Sequence, residues 1–241
     1  MNPARLLAFA LIALAASAVG AAAQTQGRRA EAVVELYTSQ GCAQCPRANR
    51  LLGSYTRDAG VLGLTFPVGI WDYLGWHDTF ARPEFSSRQR AYSEALRERR
   101  RTPQLVLNGV RQVSAADWDN ARAAVEGARD GGWPAEAPEI SIARLTSGRV
   151  RATIGRGAPR SIAADVWFAS FNPGPIPVEV TAGVNRNRVV THYNLVERLE
   201  RVGGWSGAAV WFERARCGPR CAVILQEPNG GPILAAAYLA N

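Results

Sequence analysis

The chain of 241 residues contains no lysine, so arginine supplies all 28 of its basic side chains. A GC-rich genome, which favours arginine and alanine codons, accounts for this bias. A basic stripe interleaved with aromatic residues, the pattern of a nucleic-acid-binding surface, is also missing. The arginines are scattered apart from one short run at 97–101. The net charge of +8 therefore does not indicate a nucleic-acid partner. The run at 97–101 is either a solvated helix end or a basic rim that attracts acidic partners.

Long hydrophobic segments are absent after the N-terminus, so no later segment is predicted to span a bilayer. At the N-terminus, Arg5 precedes an apolar stretch from Leu6 to about Val19, and small residues follow at 21–23. This pattern predicts a secretory signal peptide at 1–23, the alternative being an uncleaved anchor. No cysteine stands at the cleavage site, which argues against a lipoprotein. We expect a periplasmic or secreted protein with no stable membrane span after cleavage, in a compartment where disulfides persist.

Charged residues make up only 20% of the chain and hydrophobic residues 47%, which is enough to bury a sizeable core. The pattern up to residue 130 alternates strands and helices. The predicted elements are strands at 32–38 and 61–70, a helix at 46–57, a helix at 84–100, a hairpin at 104–113 and a helix that begins after Ser114 and reaches about 129. Asn108-Gly109 is the hairpin turn, because both residues tolerate a positive φ. Ser114 and Asp117 form a capping box before the last helix.

The pattern changes at 131–138, a segment rich in glycine and proline that we interpret as a linker. Short alternating runs broken by Gly, Pro and Asn follow it, which is typical of a β sandwich. The sequence therefore predicts an α+β or α/β fold. A thioredoxin-like domain at 30–130 is followed by a small all-β, sandwich-like domain at 139–241.

Cysteine is also scarce, and its four residues form two closely spaced pairs. Cys42 lies just before the helix that Pro46 begins, where free N–H groups and the helix dipole favour a thiolate. Cys42 is therefore the candidate nucleophile, and Cys45, one turn inside the helix, is the candidate resolving cysteine. Thr102-Pro103 opens a strand, where a cis peptide bond would let residue 102 face the cysteines and pair with an extended peptide. A trans turn proline is the alternative.

Other interpretations of the Cys42-x-x-Cys45 motif are a purely structural disulfide and a metal site. Zinc would need two further ligands, and the chain has only His77 and His192. Cu(I) could be held by Cys42, Cys45 and His77. Glu35 and Asp72 are candidate proton shuttles near Cys45.

The second pair, Cys217 and Cys221, flanks Gly-Pro-Arg between two apolar runs. Facing residues of a hairpin are within disulfide reach, so we predict a structural disulfide between them. A second redox-active pair is the alternative.

Four segments together resemble a bacterial family of secreted thioredoxin-like proteins that is catalogued as a domain of unknown function. They are 34–46, with the CxxCP motif, 71–76, 102–104 and 191–196. The resemblance covers about residues 31–240 and implies the fold and export more than an activity. It matches Cys42 and Cys45 to the redox pair and Pro103 to the cis-proline. The chain departs from this family at Asn49, Pro67, Gly69 and Arg101, which puts proton transfer or substrate contact in question.

Two main functions follow. The first is thiol–disulfide oxidoreductase activity on protein thiols or disulfides of the periplasm, with Thr102 and Pro103 as the substrate platform and no cofactor. The second is non-enzymatic binding by a secreted protein whose Cys42–Cys45 disulfide is structural. A copper-binding redox protein is a third possibility.

Overall fold

The computed structural model describes residues 25–58, 60–215 and 217–239. The predicted signal peptide at 1–23 lies outside these residues. Strands hold 39% of the described residues, and three short α-helices interrupt them. The helices are α1 (Cys45–Tyr55), α2 (Pro83–Ala95) and α3 (Trp118–Asp130). In the described part of the chain, no helix is both long and apolar enough to cross a membrane.

A nine-stranded sheet runs through the molecule in the order β2-β15-β14-β9-β12-β4-β3-β5-β6. Its strands are β2 (Arg28–Arg29), β3 (Ala32–Thr38), β4 (Val61–Pro67), β5 (Gln104–Leu107), β6 (Arg111–Ser114), β9 (Ala164–Asn172), β12 (Leu195–Trp205), β14 (Arg220–Gln226) and β15 (Ile233–Tyr238). A four-stranded sheet has the order β1-β7-β8-β13, from β1 (Thr25–Gln26), β7 (Ile140–Arg144), β8 (Val150–Ile154) and β13 (Val210–Arg214). The strands β10 (Ile176–Val180) and β11 (Arg188–His192) form a separate hairpin.

Local sequence explains most of these elements. Proline occupies the first turn of α1 and of α2, where an N–H group would have no hydrogen-bond partner within the helix, so its absence costs nothing. Asn108 and Gly109 have φ angles of 48° and 68°, so the predicted hairpin turn is confirmed. The predicted capping box is wrong, because Asp117 itself is the N-cap of α3 and its carboxylate accepts the N–H of Asn120.

Both faces of the nine-stranded sheet are covered. Successive residues of a strand point to opposite faces, so β3 gives Val33 and Tyr37 to one core and Val34 and Leu36 to another. The first core extends across the sheet from β5 to β15 and includes side chains of α2. The opposite face is covered by α1 and α3 at one end and by the four-stranded sheet at the other.

The two ends of the large sheet are joined where β12 meets β4. The parallel register there is a single pair, Leu195 with Thr65. Three hydrogen bonds reinforce it: Thr65 donates its N–H to the carbonyl of Asn194 and its hydroxyl to the carbonyl of Tyr193, and the Asn194 amide donates to the carbonyl of Gly63.

The predicted fold class, a thioredoxin-like domain followed by a small β sandwich, is wrong. The structure is mostly strand, in large sheets with only three short helices, and the nine-stranded sheet takes strands from both predicted domains. The physical reason lies in β14 and β15, whose residues are almost all buried. A continuous apolar run of this kind fits a strand of a sandwich core, but here both strands are buried on both faces of the large sheet. The predicted linker at 131–138, which would separate two independently folding domains at 30–130 and 139–241, stays a prediction.

Candidate functional site around Cys42 and Cys45

The candidate site lies where β3 ends and α1 begins. Cys42 and Cys45 are joined by a disulfide with their Cα atoms 5.3 Å apart, and the Cys45 N–H donates to the carbonyl of Cys42. Helix α1 begins at Cys45, with Gln44 as its N-cap, so Cys42 lies in the turn before the helix. Cys45 is completely buried and Cys42 is 6% exposed. The order of the two sulfurs, one outer and one inner, follows from this placement.

A buried asparagine from a distant loop anchors the backbone around Cys42. The side-chain amide of Asn185 donates to the carbonyls of Gln40, at 2.8 Å, and of Cys42, at 2.9 Å. Asn185 belongs to the turn between β10 and β11, and it is completely buried. The hairpin β10–β11 therefore holds the cysteine loop in place, a role that sequence analysis did not identify.

Gln40, two residues before Cys42, ties the same loop to the aromatic segment at 71–80. Its side-chain oxygen accepts the indole N–H of Trp76 at 2.9 Å, and its amide donates to the hydroxyl of Thr79 at 2.9 Å. Its backbone N–H donates to the carboxylate of Asp78 at 2.7 Å. Asp78 is buried and also accepts the N–H of Phe80, and burial raises its pKa to about 6 in spite of these hydrogen bonds.

The Thr102–Pro103 peptide bond is cis, as predicted. The register of β5 with β3 pairs Gln104 with Tyr37, which puts Pro103 beside Thr38 at the same end of the sheet as the disulfide. Trp71 connects the cis-proline segment to the cysteine loop. Its indole N–H donates to the hydroxyl of Thr102 at 2.6 Å, and its Cβ lies 3.0 Å from the position that a side chain at Gly41 would occupy. Sequence analysis did not assign Trp71 this role.

Behind the disulfide, Asn49 of α1, one turn after Cys45, lies beside His192 of β11, and both are buried. Asn49 accepts the hydroxyl of Thr38 at 2.7 Å and donates to the carbonyl of Thr191 at 3.0 Å, and its amide nitrogen lies 3.5 Å from Nδ1 of His192. His192 is completely buried, and this burial lowers its pKa to about 4. Its Nε2 has no hydrogen-bond partner within the described residues. The imidazole is therefore neutral at pH 7.

Glu35, one of the two suggested proton shuttles, is engaged elsewhere. Both of its carboxylate oxygens accept hydrogen bonds from the guanidinium of Arg88, at 2.6 and 2.9 Å, and it also accepts the hydroxyls of Tyr37 and Tyr92. This cluster is buried in the core against α2 and holds the sheet to that helix. Asp72, the other suggestion, accepts the N–H of Asp78 and lies 3.5 Å from Nδ1 of His77.

The basic run at 97–101 follows the end of α2 at Ala95 and is exposed. Arg97 has a φ of 56°, so the helix has ended before the run. Arg100 lines a cavity of about 310 Å³ together with Asp72 and Ile70, next to the Trp71 segment. The run thus borders the aromatic segment of the site.

The copper site suggested from the sequence requires His77 to lie beside Cys42 and Cys45. The side chain of His77 is 90% exposed and pairs with Asp72. Among the residues that the structure describes, there is no group of three or more His, Cys, Asp or Glu side chains that could hold a metal ion. The residues present therefore do not fit the copper site suggested from the sequence.

The second pair of cysteines forms its own disulfide, Cys217–Cys221, with Cα atoms 5.7 Å apart. Cys221 lies in β14 and is buried, and Cys217 precedes that strand. The Ser170 hydroxyl of the neighbouring strand β9 accepts the N–H of Gly218, which fixes the short loop. The predicted pairing is confirmed, but the predicted hairpin around it is wrong, because β13 and β14 lie in different sheets.

Comparison with known proteins gives the family and the fold. No curated protein matches the chain. A crystal structure of protein AGR_C_4864 from Agrobacterium tumefaciens is 30% identical and superposes with a TM-score of 0.70, covering 87% of this chain and 94% of that one. HBP35 of Porphyromonas gingivalis is 11% identical with a TM-score of 0.59, covering 88% of this chain and 75% of that one, so its similarity concerns the fold alone. The pattern of a family described as protein of unknown function (DUF1223) matches residues 33–224, and the chain belongs to this family.

Proposed function

We propose that the protein is a thiol–disulfide oxidoreductase whose Cys42–Cys45 disulfide exchanges with the thiols of exported proteins. The observation that carries this proposal is the position of the disulfide at the start of α1, with one sulfur outside the helix and one buried inside it. The N-terminal end of a helix stabilises a thiolate, which is the species that attacks and leaves in exchange reactions. The signal-peptide pattern at 1–23 supports a periplasmic or secreted location.

The reaction transfers two electrons and needs no cofactor. A substrate thiolate attacks Sγ of Cys42, the bond between Cys42 and Cys45 breaks, and Cys45 leaves as a thiolate that takes up a proton. A second substrate thiolate then attacks the substrate sulfur of this mixed disulfide and releases Cys42. The substrate dithiol is oxidised to a disulfide and the protein is reduced to its dithiol; the reverse steps reduce a substrate disulfide.

Attack at Cys42 rather than Cys45 follows from access. Cys45 has no exposed surface, and even Cys42 shows only 6%. Substrate approach therefore requires a small displacement of the segments fastened around Gln40, which are the aromatic segment at 71–80 and the turn that carries Asn185. Trp71 and Thr102, which are hydrogen-bonded to each other, are the residues that we expect to contact the substrate beside Cys42.

The same burial favours a second candidate, in which the disulfide is a structural staple of a binding protein. A covered disulfide that is clamped by Asn185 resists reduction, and structural disulfides have low reduction potentials. The two functions differ in one observable, the reactivity of Cys42 in the reduced protein.

Trapping variants test the proposal. In Cys45→Ser, the Cys42 thiolate should attack disulfides of periplasmic proteins and accumulate mixed disulfides, each attack releasing one partner thiolate, and Cys42→Ser should accumulate almost none. In the reduced protein, alkylation of Cys42 should titrate with a pKa below about 8.5, the value of a free thiol. The Cys217→Ser/Cys221→Ser double variant is the matched control and should keep the exchange. Equal trapping by both single variants, or an unshifted titration, would support the staple.

A further inference from the structure

Another cavity, which neither Cys42 nor Cys45 lines, is bordered by arginines. It has a volume of about 530 Å³ and lies between the last turns of α1, the turn at 173–175 and the start of β14. Arg50 and Arg57 line it from the α1 side, Arg220 from β14, and Tyr193 from the segment between β11 and β12. Elements that are far apart in sequence therefore bring three guanidinium groups to one cavity.

No carboxylate balances these charges. Asp and Glu are absent from the lining, and in the described segments Arg50, Arg57 and Arg220 form no ion pair. Other arginines of the chain are paired: Arg129, for example, contacts both Glu31 and Asp58. Three unpaired cations around one concave surface repel each other unless an anion lies between them.

The helix dipole explains only part of this cluster. A cation just past the C-terminal end of α1 is favourable there, which accounts for Arg57 but not for Arg50, because Arg50 lies before the last turn of the helix. Arg220 comes from a strand and gains nothing from that dipole. Its Nε is buried and has no hydrogen-bond partner among the residues described, so the surrounding protein does not account for its position.

The donors that a ligand would meet are guanidinium groups rather than hydroxyls. Ser54 and Thr56 also line the cavity, but their hydroxyls donate to the carbonyls of Leu51 and Gly53. The ring of Tyr193 forms an apolar wall by packing against Gly53, where an added Cβ would lie 2.8 Å from the ring. Forked N–H donors beside one aromatic wall suit carboxylate or phosphate groups.

We propose that this cavity binds a small ligand with two or more oxyanion groups, either phosphate or carboxylate. Its volume is in the range of ligand pockets and exceeds what a single inorganic phosphate fills. Two or three guanidinium groups would each pair with one oxyanion group, and an apolar part of the ligand would lie on Tyr193. This site is independent of the exchange proposed at Cys42.

Calorimetric titration at low salt tests the site in the full mature protein, with pyrophosphate as the phosphate probe and citrate as the carboxylate probe. Arg220→Gln should weaken binding by about tenfold, the loss of one charge-assisted pair, and the exposed Arg57→Gln should weaken it less. Arg111→Gln is the matched control, because Arg111 is an exposed strand arginine away from the cavity, and it should change affinity by less than about twofold.

Binding of pyrophosphate alone assigns a phosphorylated ligand, binding of citrate alone assigns a polycarboxylate, and binding of both supports the broader class. Thermal unfolding of each variant checks that the fold is intact, and Arg57→Gln keeps the test valid if Arg220→Gln fails to fold. If neither pyrophosphate nor citrate binds, or if Arg111→Gln weakens binding as much as Arg220→Gln does, the proposal is overturned.

Discussion

His192 should make the protein less stable in mild acid, because it is buried as a neutral imidazole beside Asn49. Burial lowers its pKa from 6.5 to about 4, whereas the unfolded chain takes up the proton at the ordinary value. The unfolded state therefore binds more protons between these two pH values, and the free energy of unfolding falls as the pH falls through this range.

The size of the effect follows from the shift. A difference of one pKa unit corresponds to about 1.4 kcal/mol, so the full loss between pH 7.5 and 3.5 is about 3 kcal/mol, of which about 2 kcal/mol is lost by pH 5. Asp78 acts in the opposite direction, because its raised pKa lets the folded state hold a proton below about 6. The wild-type pH profile is the sum of both, so only a comparison of variants isolates His192.

Urea denaturation across pH 4–7.5 supplies the comparison. His192→Gln should reduce the acid-side loss of stability by about 2 kcal/mol at pH 5, and His77→Gln, which removes an exposed histidine, is the matched control. With only two histidines in the chain, nuclear magnetic resonance can follow both imidazoles directly. A His192 signal that titrates near 6.5, or a His192→Gln profile that parallels the wild type, would refute the reasoning.

Two further predictions concern packing. Arg88→Met should lower the free energy of unfolding by about 3–5 kcal/mol, because it leaves Glu35 charged and buried, and the Glu35→Gln/Arg88→Met double variant should recover part of this loss in urea denaturation. Gly53→Ala should lower the free energy of unfolding by about 1–3 kcal/mol, because the new Cβ would lie 2.8 Å from the Tyr193 ring. Gly127→Ala, on an open face of α3, should raise the free energy of unfolding by about 0.5–1 kcal/mol. Equal thermal shifts for the two glycine variants would contradict the packing.

Local chemistry was readable from the sequence. Pro46 in the first turn of a helix, Asn108-Gly109 at a hairpin and the short loop between Cys217 and Cys221 each act within a few residues. Their conformations depend on nearby sterics, so a single sequence is enough to predict them.

Long-range contacts were not readable in the same way. Asn185 holds the Cys42 loop across 143 residues, and a single side-chain amide in a polar turn carries no periodic signal. The fold class was missed for a related reason. The apolar runs of β14 and β15 fit a small sandwich as well as the interior of a sheet covered on both faces, and only the pairing of β12 with β4 decides between them.

The reduction potential of the Cys42–Cys45 disulfide tests the proposed exchange most directly. The Cys217→Ser/Cys221→Ser variant is equilibrated with glutathione redox buffers, and the fraction of reduced Cys42 is measured by alkylation and mass spectrometry. Exchange activity predicts a two-electron transition between about −120 and −270 mV, the range of disulfide oxidoreductases. A disulfide that stays oxidised to below about −300 mV would contradict the proposal and identify Cys42–Cys45 as a structural staple.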